Sequence, residues 1–243
     1  MNLIVEQGNT AVKVAVYEQK EMLISAVYKK FGMAELLAIL EQYLPENGIL
    51  SSVATPAGEW LEALETRLKY FLVLDSRVKL PVEVRYQTPE TLGNDRIAVA
   101  VGANFLQPGK DVLIIDAGTA ITYELVEASG VYIGGNISPG MTTRFQALHQ
   151  FTEKLPLVSE QERIPWMGTS TETAIQAGVV NGIVYEIEGY IHEVRKKYPD
   201  VFVYLTGGHS LYFERRLKNS IFVAINLVLV GLNRILEYNV EKQ

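Results

Sequence analysis

Short apolar or alternating runs open the chain at residues 2–5, 11–18 and 22–29, rich in Val and Ile and closely spaced. Such runs predict consecutive antiparallel strands. The period then changes: Leu36, Leu37, Leu40 and Leu44 recur at helical spacing and predict a helix over 33–44, ended by Pro45, Asn47 and Gly48. Residues 49–53 read as a strand, 57–70 as a helix and 71–74 as another strand. After residue 110 the order recurs, with strands predicted at 112–115, 120–127 and 130–135 and a helix starting near Met141, after Pro139-Gly140. A long helical stretch covers 170–197, punctuated by Gly178, Gly182 and Gly189, with a Thr169-x-x-Glu172 capping-box pattern at its start. A strand at 201–205 and an apolar helix at 222–238, read as core rather than interface, complete the pattern. Both halves, 1–108 and 109–243, therefore start strand–strand–strand–helix.

A local repeat sits inside this one. Glu6-Gln7-Gly8-Asn9-Thr10 joins the first two strands of the first half, and Asp116-Ala117-Gly118-Thr119-Ala120 joins the equivalent strands of the second. Each is an acidic residue ending an apolar strand, then x-Gly, then a small polar residue. Glycine lets a ligand approach bare backbone N–H groups, and successive N–H groups in a turn form a concave anion site. Asn9, Thr10 and Thr119 add side-chain donors, and a carboxylate at the strand end is placed to hold a hydrated Mg²⁺ bridging phosphates. Either motif alone reads equally well as an ordinary glycine-capped hairpin. Their repetition in matching strand contexts favours a nucleoside triphosphate held between two such turns. No Walker or Rossmann glycine pattern occurs, which disfavours P-loop and NAD chemistry.

Three further elements carry candidate chemistry. Tyr86 precedes a loop ending in Gly93-Asn94-Asp95-Arg96, which runs into the apolar helical stretch 97–105. As a site, Arg96 would grip a carboxylate bidentately and Asp95 would accept a proton from a hydroxyl; as plain structure, Asp95 is a helix N-cap beside a surface arginine. Gly134-Gly135-Asn136-Ile137-Ser138-Pro139-Gly140 precedes a helix, as an anion site or as a simple turn. Thr206-Gly207-Gly208-His209 follows a strand, with His209 read as an exposed loop residue.

Composition narrows the function classes. Of 243 residues, 48% are hydrophobic and 21% charged, enough chain for a sizeable core. No cysteine is present, so disulfides, thiolate metal sites and cysteine nucleophiles are excluded, and three histidines disfavour a histidine metal site. A net charge of -6 argues against a nucleic-acid partner. The N-terminal apolar run is broken by Glu6, and the longest apolar stretch, 221–232, contains Asn226 and Gly231. It falls short of the roughly 18–20 residues a membrane span needs, so the expectation is a cytoplasmic protein with no membrane partner.

The five motifs, at residues 6–10, 93–96, 116–120, 134–140 and 206–208, resemble in this order those of type III pantothenate kinase, across essentially the whole chain. The resemblance implies an α/β actin-like ATPase fold: two ribonuclease-H-like halves of β-β-β-α-β-α type with a cleft between them, working as a homodimer. It implies phosphorylation of pantothenate by ATP with Mg²⁺ and a monovalent cation, K⁺ or NH₄⁺. Asp95 would be the base on the substrate hydroxyl, and Tyr86, Gly93, Asn94, Asp95, Arg96 and Thr171 would bind pantothenate. Glu6, Gln7, Gly8, Asn9, Thr10, Ala11, Val12, Lys13 and Thr119 would hold ATP, Asp116 the monovalent cation, and Glu6 would meet Mg²⁺ through water. The family usually carries Asp where this chain has Glu6; the extra methylene bears on turnover more than on fold. Two alternatives stay open: a kinase of the same superfold acting on another acid or sugar, and a non-catalytic transcription accessory factor. Glu6 keeps the latter open; Asp95, Arg96 and Asp116 oppose it.

Overall fold

The structure is a computed structural model that describes residues 1–53 and 58–242; Ala57, expected to start a helix, lies outside the described residues. The chain folds into two compact units. The first comprises Met1–Pro108, Gly130–Tyr132 and Asn226–Gln243, the second Gly109–Ser129 and Ile133–Ile225.

In the first unit, β1 (Asn2–Gln7), β2 (Val12–Glu18) and β3 (Glu21–Tyr28) form an antiparallel meander. β4 (Asn47–Ser52) and β5 (Tyr70–Val73) extend it in parallel on the other side of β1, giving the order β3-β2-β1-β4-β5. β1 is buried on both faces and reads as a continuous apolar run, whereas β3 alternates strictly between exposed and half-buried residues. Leu3, Val5, Val14 and Val16 pack with Leu36 and Leu40 of α1 (Met33–Tyr43) and with Trp60 and Leu64 of α2 (Gly58–Arg67). The expected helical face is partly shifted. Ile39 is buried in it, while Leu44 is exposed because it caps α1 in the left-handed region, at φ 46°.

A short strand, β6 (Glu83–Val84), precedes α3 (Asn94–Leu106) and pairs in parallel with Val131 and Tyr132. α3 crosses α7 (Leu227–Val240) at backbone distance. A Cβ on Gly102 would stand 2.6 Å from the Leu227 carbonyl oxygen and 3.1 Å from the Gly231 nitrogen, and one on Gly231 would overlap the Ala98 carbonyl. The predicted apolar helix is thus core, with Leu229, Leu232, Ile235 and Leu236 fully buried. It starts later than expected, because Phe222–Val223 is a strand, and its contacts with α3, β1 and β4 place it in the first unit rather than in a 109–243 half. Asn233 fixes its register by accepting a 2.9 Å hydrogen bond from Asn2.

The second unit repeats the plan. β7 (Val112–Ala117) and β8 (Ala120–Val126) form a hairpin, followed by β9 (Val131–Pro139), four residues longer at its end than the expected strand. β10 (Phe202–Thr206) lies parallel to β7, and β11 (Phe222–Val223) parallel to β10. The run β9-β8-β7-β10-β11 follows the order of the first sheet, and β6 adds a sixth strand beside β9. α4 (Met141–Gln150), α5 (Thr171–Lys197) and the short α6 (Ser210–Glu214) supply Phe145, Val180, Ile183, Ile187 and Phe213 to a core with Leu113, Ile115 and Leu205. Ser170, not Thr169, caps α5: its hydroxyl accepts the Thr173 N–H, and the Thr173 side chain answers in place of Glu172.

Gly231→Ala is expected to destabilise the protein by about 1–3 kcal/mol in urea unfolding despite alanine's better helix propensity, because the added methyl meets fixed backbone. A neutral or stabilised variant would contradict the backbone-to-backbone packing of α3 on α7.

Candidate functional site

Each unit places an acidic residue one position before the last residue of its central strand. In the first, Glu6 is 5% exposed and lies opposite Lys13 across the hairpin, with Lys13 Nζ 3.3 Å from Glu6 Oε2. Burial pushes the Glu6 carboxyl above its ordinary value; Lys13 opposes that rise, and the charge of Asp95 adds to it. The turn, residues 8–11, is closed by the Gly8 N–H donating to Ala11 O at 3.0 Å. A Cβ on Gly8 would come 3.2 Å from Glu6 Oε1, so the carboxylate packs beneath a residue with no side chain. Asn9 and Thr10 are exposed at the tip, and Ser52 donates to the Gln7 side chain at 2.9 Å. Residues 7–12 line a cavity of about 740 Å³ together with Lys29, Lys30 and Trp60.

Asp95 belongs to the same unit, in the first turn of α3. Gly93, not Asp95, is the N-cap, and Arg96 is 5% exposed, so the plain alternative of a capping aspartate beside a surface arginine does not hold. The Asp95 carboxylate accepts the Arg96 N–H at 2.9 Å, and Asn94 ties the helix start to Leu74 O at 2.8 Å. Arg96 donates to the Tyr132 hydroxyl at 3.1 Å and, at 3.5 Å, to that of Tyr86, whose ring lies 5.5 Å beneath the guanidinium. The structure therefore brings together Glu6, Lys13, Tyr86, Asp95 and Arg96 within one unit. Tyr132 is a partner the motifs did not reveal, because it lies in a strand with no distinguishing spacing.

In the second unit, Asp116 lies between Thr122 of β8 and Thr206 of β10. The following turn, residues 118–120, is one residue shorter than its counterpart and is closed by the Gly118 N–H donating to Ala120 O at 3.0 Å. Gly207, at φ +92°, leaves no room for a Cβ against the Asp116 carboxylate and the Ala117 backbone. His209 is half-buried rather than exposed: it is the N-cap of α6, and its N–H donates to Ala117 O at 3.0 Å. The Thr119 carbonyl is held twice, by the Gly140 N–H at 2.9 Å and the Thr143 hydroxyl at 2.7 Å. A side chain at Gly140 would overlap the Gly118 and Thr119 carbonyls. Glycine before α4 is thus a close-approach requirement of the neighbouring turn. Thr171, the first residue of α5, is exposed and lines a mostly apolar groove with Arg144, Leu148 and Ile175.

No group of three or more His, Asp or Glu side chains forms a ready metal cage among the described residues.

The model of the type III pantothenate kinase family matches residues 2–193. A type III pantothenate kinase from Bacteroides fragilis is 48% identical over 239 residues, 98% of both chains. A conserved Baf-family protein from Campylobacter jejuni has the same fold at 20% identity and a TM-score of 0.63, over 98% of this chain and 99% of that one. The activator of 2-hydroxyisocaproyl-CoA dehydratase from Clostridium difficile, solved with bound ADPNP, matches at 14% identity and a TM-score of 0.56, over 99% and 96%.

The pH response of Glu6 has a definite sign. Its folded-state pKa is raised, so its favourable contribution is fully present below the ordinary value of about 4.5 and is lost as pH rises through the folded value. Glu6→Gln is expected to raise the melting temperature near pH 8, with the gain over wild type shrinking towards pH 4. A variant less stable at pH 8 would mean that the lost Lys13 pairing outweighs burial.

Proposed function

The chain belongs to the type III pantothenate kinase family, whose model covers most of its length, and we propose that the residues gathered around Asp95 and Arg96 take the acceptor while the two glycine turns take ATP. The fold is the duplicated α/β arrangement of the actin-like ATPases, and the activity is ATP-dependent phosphorylation of pantothenate to 4′-phosphopantothenate, the first step of coenzyme A biosynthesis.

The observation that carries the site assignment is the pairing of a half-buried Asp95 with a buried Arg96 one residue on, within electrostatic reach of Glu6. Asp95 orients and deprotonates the primary alcohol of pantothenate. Arg96, held by Tyr86 and Tyr132, meets the substrate carboxylate with Gly93 and Asn94. Thr171 adds a further acceptor contact. The Glu6–Lys13 hairpin and Thr119 bind ATP through backbone N–H groups and the side chains of Asn9, Thr10 and Lys13. Transfer is direct and in line, with catalysis resting on positioning and on charge facing the transferred phosphoryl group.

Asp116 is the residue to hold a monovalent cation. The backbone around its carboxylate, where Gly207 excludes any side chain, suits an oxygen-ligated ion that offsets phosphate charge. Glu6, engaged with Lys13, would meet Mg²⁺ through water. No helix among the described residues is long and apolar enough to cross a membrane; the cytoplasmic location in this reading rests on the substrate. A homodimer belongs to this reading, with Phe151, Leu157, Trp166, Met167 and Tyr185 among the exposed apolar side chains a second copy could bury.

Two outcomes are expected. Asp95→Asn lowers turnover by roughly 10²–10⁴-fold, the usual weight of a general base, with ATP affinity near wild type; unchanged turnover removes Asp95 from the base role. ADP release by the wild type depends on pantothenate; release with another acid or sugar alone would indicate a different acceptor, and none at all a non-catalytic role.

A further inference from the structure

Three side chains of the second unit, Ser138, Tyr123 and Arg144, meet at Glu186, and of these only Ser138 lies in an expected motif. Glu186 Oε1 accepts from the Ser138 hydroxyl at 2.5 Å and from the Tyr123 hydroxyl at 2.8 Å, while Oε2 accepts from Arg144 Nη2 at 2.5 Å. Arg144 also donates through Nε to the Pro139 carbonyl at 2.7 Å. The side chains of Arg144 and Glu186 are only 21% and 24% exposed, so solvent screens the pair weakly. Burial raises the Glu186 carboxyl, but the hydrogen bonds from Ser138, Arg144 and Tyr123 more than reverse this and hold it below its ordinary value. The carboxylate is thus charged and saturated, which is how a fixed anchor differs from a surface acid.

What it anchors is the corner at Gly140. Ser138 and Pro139 immediately precede that glycine, and Arg144 follows it by one helical turn. Gly140 and Thr143 are the two donors to the Thr119 carbonyl. The peptide group is planar and trans, so pinning the Thr119 carbonyl also fixes the direction of the Ala120 N–H and the plane of the turn. The path from Glu186 to the turn consists of contacts of 2.5–2.9 Å and covalent neighbours throughout.

We propose that Glu186 is a positioning residue for the nucleotide: through Arg144 and Ser138 it sets the Pro139-Gly140 corner, and through that corner it aims the Gly118-Thr119 turn at the ATP phosphates. The inference rests on the assignment of that turn to ATP. Glu186 touches neither substrate and acts only through other residues.

The test measures binding of a non-hydrolysable ATP analogue by calorimetry alongside steady-state KM values for ATP and pantothenate. Glu186→Ala is expected to weaken analogue binding and raise the ATP KM by about tenfold, since small misplacements of a positioned group carry losses of this order or more. The pantothenate KM should change less than about twofold, a split that general destabilisation would not produce. Thr143→Val, which removes only the hydroxyl on the Thr119 carbonyl, should give the same nucleotide-selective loss and keeps the test open if Glu186→Ala fails to fold. In the double variant the two losses should be less than additive, since both act on one carbonyl. Folded Glu186→Ala or Thr143→Val protein with wild-type analogue affinity, beside a Thr119→Ala variant that loses it, overturns the inference and leaves the ATP turn in place. If Thr119→Ala also binds normally, the assignment of the turn falls, and the inference with it.

Discussion

A carboxylate near the end of an apolar strand, buried in the first unit and half-buried in the second, is the constraint around which both units are built. Water solvates such a group poorly there, so it has to be met by donors, counter-charge or a ligand. In the first unit Lys13, directly across the hairpin, supplies counter-charge to Glu6, yet burial still dominates the carboxyl. In the second, bare glycine backbone closes around Asp116. The glycines follow from the carboxylates: Gly8 and Gly207 stand where a side chain would press on an acidic oxygen. The strands supply rigidity and the acids supply an electrostatic demand; in the proposed function the turns beyond them meet phosphate.

Much of this was legible from residue order. The two strand–strand–strand–helix runs became sheets that share a five-strand order, the second with β6 added at its edge, and the two acidic glycine turns fell at matching places in them. This legibility has a physical basis: a central strand covered on both faces is mostly apolar, so β1 and β7 read as near-continuous apolar runs, in contrast to the alternating edge strand β3. The departures came where tertiary contact overrides local pattern. Leu44 fits a helical spacing but turns left-handed at the cap, and Phe222-Val223 continues an apolar run yet pairs as a strand beside β10. Thr169 and Glu172 spell a capping box, but Ser170 and Thr173 form it one residue later.

The candidate site divides in the same way. Asp95 and Arg96 were singled out by a loop motif that read equally well as a capping aspartate beside a surface arginine; the structure departs from that plain reading, since Gly93 is the N-cap and Arg96 is buried. Tyr132 and Glu186 left no such trace. Each is a single polar residue in a regular element, and its role depends on which distant segment folds against it. A spacing rule cannot find a partner 36 residues away in a strand or 42 residues away along a helix.

The glycine-to-glycine crossing of α3 and α7 also has a bearing on biogenesis. The helix that covers Ala98 and Gly102 is translated only after the entire second unit. At ordinary ribosomal speed the emerging first unit would wait roughly ten seconds with one side of its sheet uncovered. During that interval the flank of β1 and β4 lacks the helix that packs on it, and vectorial synthesis alone cannot complete the unit that was made first.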